Sequence, residues 1–391
     1  MSLPKIMTVY GTRPEAIKVA SILSHLQNDA RFESVPVSTG QHREMLKQVN
    51  GIFGISPRYN LGLMKQGQAL NELVSRALAG LDVIIEKEQP DVIISQGDTS
   101  TAMAAALAGF NRGTRVVHIE AGLRTGNIAS PFPEEANRRV ISQVASLHLA
   151  PTEAARENLT LENFDPADIV VTGNTVIDAL LTVVKRKVDF DDPALVSAVA
   201  SDRRLVLVTT HRRENLDAMV EIGSAIQELA RVYPDVIFAL PLHLNPRVRE
   251  AVLPEVEKME NVIVTDPLPY DQFTSLMNRS TLVLTDSGGV QEEAPSLGKP
   301  VLVMRENTER PEAVTAGTVK LVGTDRRRII DEVQNLLDDP AAYAVMANAV
   351  NPYGDGRAAE RCVAAIAELL GVGERIEEFG MVTVPTGQAL R

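Results

Sequence analysis

The strongest constraint on this chain is an alternation: short β-branched runs are separated by stretches with helical spacing of apolar residues, twice over along the sequence. Strands that alternate with helices return over crossovers, which builds a parallel sheet covered on both faces. In the first series the pattern predicts strands at Ile6–Tyr10, Val35–Ser38, Val92–Ser95, Val116–Ile119, Leu147–Ala150 and Val170–Thr172. Helices are expected between them, among them Pro14–Gln27, Gln68–Glu88 and Thr99–Arg112. The acidic, poorly periodic stretch Asp189–Arg204 reads as a linker. A second series follows, with strands at Leu205–Thr209, Ile237–Leu240, Val262–Val264, Leu282–Thr285, Val301–Val303 and Thr318–Leu321, and helices at Leu216–Val232 and Val290–Leu297. At 391 residues the chain exceeds the ~150 residues of one ordinary domain. The expected fold is α/β, two Rossmann-like doubly wound lobes facing a cleft, over residues 1–188 and 189–356. The breaker run Asn351–Gly356 precedes one last helix, Arg357–Leu370, and Arg375–Arg391 reads as a mobile tail.

Composition removes whole classes of function. Hydrophobic residues at 45% and charged residues at 23% are ordinary globular usage, which excludes a disordered or disulfide-scaffold chain. Thirty-nine Lys+Arg against 51 Asp+Glu give a net charge of −12, the wrong sign for attraction to nucleic acid. No apolar run approaches the ~18 residues of a membrane span, and no secretion signal opens the chain, so a cytoplasmic protein is expected. The lone Cys362 makes neither an internal disulfide nor a thiolate metal cluster, and no metal site is read. There is no P-loop. A Gly354, Gly356, Ala359 match to the dinucleotide fingerprint has no strand before it, so no bound NAD is expected there. An anionic ligand would have to be met by local cations and helix N-termini.

In open parallel sheets ligands bind beyond the carboxyl ends of the strands. The segments at those ends are unusually polar: Gly11–Glu15, Gln96–Thr99, Glu120–Gly122, Gly173–Thr175, Thr210–Asn215 and Asp286–Gly289. Ser287, Gly288 and Gly289 lead into a helix and offer backbone N–H groups to a diphosphate, with Glu293 a turn further in for ribose hydroxyls; a plain helix cap explains the same residues equally well. Asp98, Glu120 and Glu134 are expected to converge at one lobe's strand tips, with His211 arriving from the other lobe. Clustered carboxylates with adjacent cations suit general acid–base work. Asp98 also reads as a cap, and for Glu134, just after Pro133, the cap is the favoured reading. Glu120 resists it, because an acid ending a buried strand is costly unless paired or solvated. His118 reads as packing inside a strand. Arg13 and Lys18 can face the same strand tips, while Arg138, Arg212 and Arg310 have a solvated-surface alternative.

These segments, quoted whole, carry a resemblance. GTRPEAIK (Gly11–Lys18), QHREML (Gln41–Leu46), QGDTST (Gln96–Thr101), HIEAGLRTG (His118–Gly126), PFPEEANRR (Pro131–Arg139), GNTVIDAL (Gly173–Leu180), THRREN (Thr210–Asn215), HLNP (His243–Pro246), the run Asp286–Val314 and NPYGDG (Asn351–Gly356) resemble the non-hydrolysing UDP-N-acetylglucosamine 2-epimerases. The resemblance implies a glycosyltransferase-B-like fold whose final helix crosses back onto the first lobe, a UDP-binding second lobe, and a homodimer. It implies interconversion of UDP-GlcNAc and UDP-ManNAc for surface polysaccharide, without an added cofactor, by elimination of UDP, a 2-acetamidoglucal intermediate and re-addition. Carried over by position, it gives Asp98, Glu120 and Glu134 acid–base roles, with Arg138 and His211 supporting the diphosphate. Arg13, Lys18, Ser287, Gly288, Gly289 and Arg310 would hold phosphates or sugar, Glu293 the ribose, and Leu268 with Phe273 the uracil. Gln41, Arg212 and His243 would form a second, activating UDP-GlcNAc site. The rival readings are a glycosyltransferase, which shares the fold, and a catalytically silent UDP-sugar sensor.

Overall fold

The computed structural model describes residues 3–40, 43–65 and 67–380, leaving out the side chains of 43–45, 213 and 214; Gln41 lies outside the described residues. The chain divides into two compact units, Met1–Ala179 with Tyr353–Arg391, and Leu180–Pro352.

The first unit is built on seven strands: β1 (Lys5–Tyr10), β2 (Glu33–Ser38), β3 (Tyr59–Asn60), β4 (Val92–Gln96), β5 (Arg115–Ile119), β6 (Leu147–Ala150) and β7 (Ile169–Val171). They pair in parallel in the order β3-β2-β1-β4-β5-β6-β7. One face packs Ile6, Val92, Ile94 and Val117 against Ile22 and Leu26 of the helix Arg13–Asn28, and against Cys362, Val363 and Ile366 of the last helix, Ala358–Leu369. The final helix therefore belongs to the first unit. On the other face Met7, Val9 and Ile93 meet Leu81, Ile84 and Ile85 of the helix Leu70–Glu88. Strands buried on both faces become continuous apolar runs, which is why the sequence marks them so clearly.

The second unit repeats the plan with β8 (Leu205–Thr209), β9 (Ile237–Pro241), β10 (Val262–Thr265), β11 (Leu282–Thr285), β12 (Val301–Val303) and β13 (Val319–Leu321), in the order β10-β9-β8-β11-β12-β13. Its core joins Val206, Phe238, Leu240 and Leu284 to Ile222, Ile226 and Leu229 of the helix Met219–Val232, and to Ile329 and Val333 of Arg326–Asp338. Both sheets change winding direction between two neighbouring strands, β1 and β4 in one, β8 and β11 in the other.

Three expectations change. The stretch read as a linker holds a helix, Pro193–Ala200, started by Asp192, whose carboxylate accepts from Ala194 N and Leu195 N. Its buried face is only Leu195 and Ala198, too little apolar periodicity to stand out. The expected helix Val290–Leu297 starts at Gly288 and gives way to a 3-10 turn over Ala294–Leu297, where Pro295 lacks an N–H. The tail does not begin at residue 375: Phe379 N donates to Val171 O at 2.9 Å, Val171 N to Glu378 Oε2 at 3.0 Å, and the Arg361 guanidinium lies 5.7 Å from the Phe379 ring centre. Glu378 also pairs with Arg156. Among the described residues no helix is long and apolar enough to cross a membrane.

Buried ionisable groups make the first unit sensitive to pH. Burial pushes His118 down to about 4 and His148 down to about 3, and pushes Asp178 up to about 6 against N–H donors from Ala358 and Ala359 at the start of the last helix. A lowered histidine contributes stability above pH ~6.5 that is lost as pH falls toward its folded value, whereas a raised aspartate favours folding as pH falls through its folded value. From pH 7 to pH 5 each histidine should cost about 2 kcal/mol and Asp178 offset about 1 kcal/mol. Urea unfolding at the two pH values should show a net loss, and His148→Leu should remove about half of the histidine part; an unchanged slope in that variant would contradict the assignment.

Candidate active site

The ends of β1, β4 and β5 carry the first unit's polar cluster. After β1, Thr12 caps the helix Arg13–Asn28, and its side chain and that of Glu15 form a capping box. Arg13 takes the first helical position and Lys18 faces back toward β5, where it pairs with Glu120. Glu120 has a backbone φ of 65°, a left-handed conformation that side-chain-bearing residues rarely hold. Its carboxylate accepts from Lys18, from Gln96 Nε2 at 2.9 Å and from Asn174 Nδ2 at 3.2 Å. The acid at the end of a buried strand is thus paired by donors from the tips of β4 and β7 and from the first helix. Gln96 and Asn174 stand in segments the sequence points to, but neither is singled out there.

Asp98 follows Gly97, whose φ of 71° is the left-handed conformation that favours glycine; a β-carbon there would meet Glu120 Oε2 at an ordinary contact distance of 3.4 Å. Asp98 Oδ2 meets Arg138 Nε at 2.8 Å, and its carbonyl accepts from Asn137 Nδ2 at 2.8 Å. Arg138 continues to Glu135 at 3.0 Å, and Glu135, fully buried, also takes Arg139 Nε and Thr125 N, each at 3.1 Å. Glu135, not Glu134, is therefore the carboxylate tied to Asp98 through arginine. Its spacing of three and four residues from Arg138 and Arg139 was the available signal. Glu134 lies half-buried in the first turn of the helix Glu134–Val144, and no described contact joins it to Asp98 or Glu120. His118 does more than pack. Its Nε2 lies 2.7 Å from Gly97 O, and a carbonyl only accepts, so Nε2 carries the proton and steadies the turn before Asp98.

In the second unit the organising residue is Asp286, fully buried at the end of β11. It accepts from His211 N, Arg212 N and the Thr210 hydroxyl at 2.8–3.1 Å, and His211 Nδ1 lies 3.1 Å from Oδ1. Burial pushes its carboxyl up, but the bonds to His211 and to the two backbone N–H groups outweigh that and hold it below the ordinary carboxylate range. One buried acid thus fixes the loop Thr210–Arg212 against β11. A β-carbon at Gly288 would stand 3.3 Å from Arg212 Nη2 and 3.6 Å from Arg310 Cζ, so glycine there lets two guanidinium groups close around the start of the helix Gly288–Glu293. Arg310 is steadied by Glu292 at 2.7 Å. Ser287 takes the N-cap position of this helix without a capping hydrogen bond from its side chain.

Glu293 accepts from the Tyr270 hydroxyl at 3.1 Å, which ties it to the helix Tyr270–Arg279 that carries Phe273. Leu268 and Phe273 are both partly buried at that end. His243 stacks on His211 with ring centres 5.9 Å apart and planes 26° apart. Two arginines, glycine-exposed N–H groups and an oriented histidine suit a dianionic phosphate group.

A family model described as UDP-N-acetylglucosamine 2-epimerase matches residues 24–367. The chain belongs to the UDP-N-acetylglucosamine 2-epimerase family. It is by that membership an isomerase. This epimerase is 50% identical over 368 residues to the UDP-N-acetylglucosamine 2-epimerase of Escherichia coli strain K12, an alignment that covers 93% of this chain and 98% of that one. The crystal structure of the Neisseria meningitidis UDP-GlcNAc 2-epimerase bound to UDP-GlcNAc aligns with a TM-score of 0.83 at 44% identity, over 93% of this chain and all of that one. A glycosyltransferase from Rickettsia africae, at 13% identity and a TM-score of 0.62 over 95% of this chain and 99% of that one, shares the glycosyltransferase-B-like fold alone.

In this epimerase Asp286→Ala leaves the His211 and Arg212 N–H groups and the Thr210 hydroxyl without their acceptor. The expected loss is about 2–4 kcal/mol of stability in urea unfolding; a loss under about 0.5 kcal/mol, the range of an ordinary surface substitution, would show that Asp286 does not organise the loop.

Proposed function

We propose that the chain interconverts UDP-N-acetylglucosamine and UDP-N-acetylmannosamine by eliminating UDP across carbons 1 and 2 of the sugar and adding it back. The hydrogen on carbon 2 is not next to a carbonyl, so it is too weakly acidic for simple deprotonation. Loss of the diphosphate from carbon 1 as the proton leaves carbon 2 gives 2-acetamidoglucal, and reprotonation from the opposite face followed by return of UDP gives the epimer. That route needs a held leaving group and acid–base groups for both faces of the ring.

The observation that carries the reading is Glu120, a carboxylate presented on a left-handed backbone and oriented by Lys18, Gln96 and Asn174, in a chain of this family. Glu120, Asp98 and Glu134 serve the proton on carbon 2, and Arg138 and His211 support the departing and returning diphosphate. Arg310, Ser287, Gly288 and Gly289 grip the diphosphate, with Arg13 and Lys18 on phosphate or sugar. Glu293 takes the ribose, and Leu268 and Phe273 the uracil. The nucleotide-sugar ligand is supported by the Neisseria meningitidis structure bound to UDP-GlcNAc and by the Methanocaldococcus jannaschii epimerase in complex with UDP-GlcNAc and UDP.

The same resemblance supports a homodimer and an activating UDP-GlcNAc site that uses Gln41, Arg212 and His243. Arg212 lies beside Gly288 and His243 stacks on His211, so an effector held there acts directly on groups assigned to the diphosphate. The product would supply an N-acetylmannosaminyl donor for polysaccharide.

Proton NMR of UDP-GlcNAc in deuterated buffer tests the reading: UDP-ManNAc should accumulate with deuterium at carbon 2 of both sugars. Glu120→Gln keeps the shape and removes the titratable group, so exchange should fall roughly 10²- to 10⁴-fold while UDP affinity holds within a few-fold. Turnover that requires a second sugar as acceptor would replace this reading with a glycosyltransferase.

A further inference from the structure

The first helix carries one charged side chain that the proposed function leaves idle. Glu15 is 3% exposed, and its Oε2 accepts from Gly11 N at 2.9 Å and Thr12 N at 2.6 Å. Those two bonds are helix capping and would be made by any acid in this place. A third is not. The Thr99 hydroxyl donates to Glu15 Oε1 at 2.6 Å, across 84 residues of sequence. Thr99 is the residue directly after Asp98 and is itself the cap of the helix Ser100–Asn111, where its oxygen accepts from Ala102 N at 3.0 Å. Its single hydrogen and its acceptor side are therefore both committed. Burial pushes the Glu15 carboxyl up against the hydrogen bonds from Thr99, Gly11 and Thr12 that pull it down, so this acid is held inside at a cost that capping alone does not explain.

The connection reaches two groups of the site. Three residues past Glu15 on the same helix, Lys18 pairs with Glu120; one residue before Thr99, Asp98 pairs with Arg138. We propose that Glu15 is a positioning residue of the epimerisation, locking the Thr99 cap so that Asp98 and Lys18 keep one arrangement beside Glu120. The inference rests on the acid–base reading of Asp98 and Glu120 above and extends it to a residue that touches no substrate. Shifts of about an ångström at the reacting groups are enough to lose catalysis without losing binding.

Glu15→Gln keeps size but sets a donor against the Thr99 hydroxyl; Thr99→Val removes the hydroxyl, and Thr99→Ser retains it. Each variant of the full chain is measured for kcat, KM, UDP affinity by calorimetry and urea midpoint. Glu15→Gln and Thr99→Val should each lower kcat about 10- to 100-fold with KM and UDP affinity within about twofold, and Thr99→Ser should recover most of kcat. The double variant should lose no more than the worse single one, because both break the same link. Full kcat in Glu15→Gln, or losses that multiply in the double variant, would overturn the proposal; if Glu15→Gln does not fold, the contrast between Thr99→Val and Thr99→Ser decides. Asp98→Asn runs beside them. Turnover surviving in it defeats the acid–base reading itself, whereas an inert Asp98→Asn next to fully active Glu15→Gln and Thr99→Val defeats only the role of Glu15.

Discussion

Parallel pairing of β1 with β4, and of β8 with β11, decides where polar chemistry can stand in this protein. Interior strands of such sheets are covered on both faces, so charge is excluded along their length and gathers where the windings diverge. The turns at Gly11, Gly97, Thr210 and Asp286 all leave from these four strands, and Glu120 leaves from β5 next door. The sheet supplies more than a platform. It sets the spacing of the tips, so that the Glu120 carboxylate meets an amide from β4, while the helices packed on the sheet bring Lys18 to Glu120 and Arg138 to Asp98.

Charge is managed locally and against the net sign. The chain carries −12 overall, yet the groups that would meet a diphosphate are arginines, histidine and backbone N–H donors. Several of them are fixed by buried acids: Asp286 aligns His211 and the Arg212 backbone, Glu292 steadies Arg310, and Glu135 backs Arg138. Removing such an acid strands its partners, which makes the supporting carboxylates as consequential as the cations they hold.

Strands were the most legible part of the sequence. Leu147–Ala150, Leu205–Thr209, Leu282–Thr285 and Val301–Val303 coincide with the structure, because a strand buried on both faces reads as a short, mostly apolar run. β3 escaped because two residues, Tyr59 and Asn60, carry no alternation and exist as a strand only through pairing with Val37 and Ser38. In the site, Glu120 was readable from the cost of its position. Glu15 and Asp286 lay in strand-end segments marked as polar, and Glu135 stood at ion-pair spacing from Arg138 and Arg139, but sequence alone does not tell whether such an acid caps, pairs or organises a loop. Leu268 and Phe273 carry no chemical signal at all; only the resemblance named them.

The docked residues Glu378 and Phe379 bear on association. β7 is an outer strand of its sheet, and the backbone N–H and carbonyl of Val171 are engaged by Glu378 and Phe379. An uncovered margin of this kind recruits strands from other molecules. Residues 378 and 379 thus work as a selvedge, and proteolytic trimming that removed them would turn a finished border into an adhesive one, a route to aggregation that leaves every residue of the site in place.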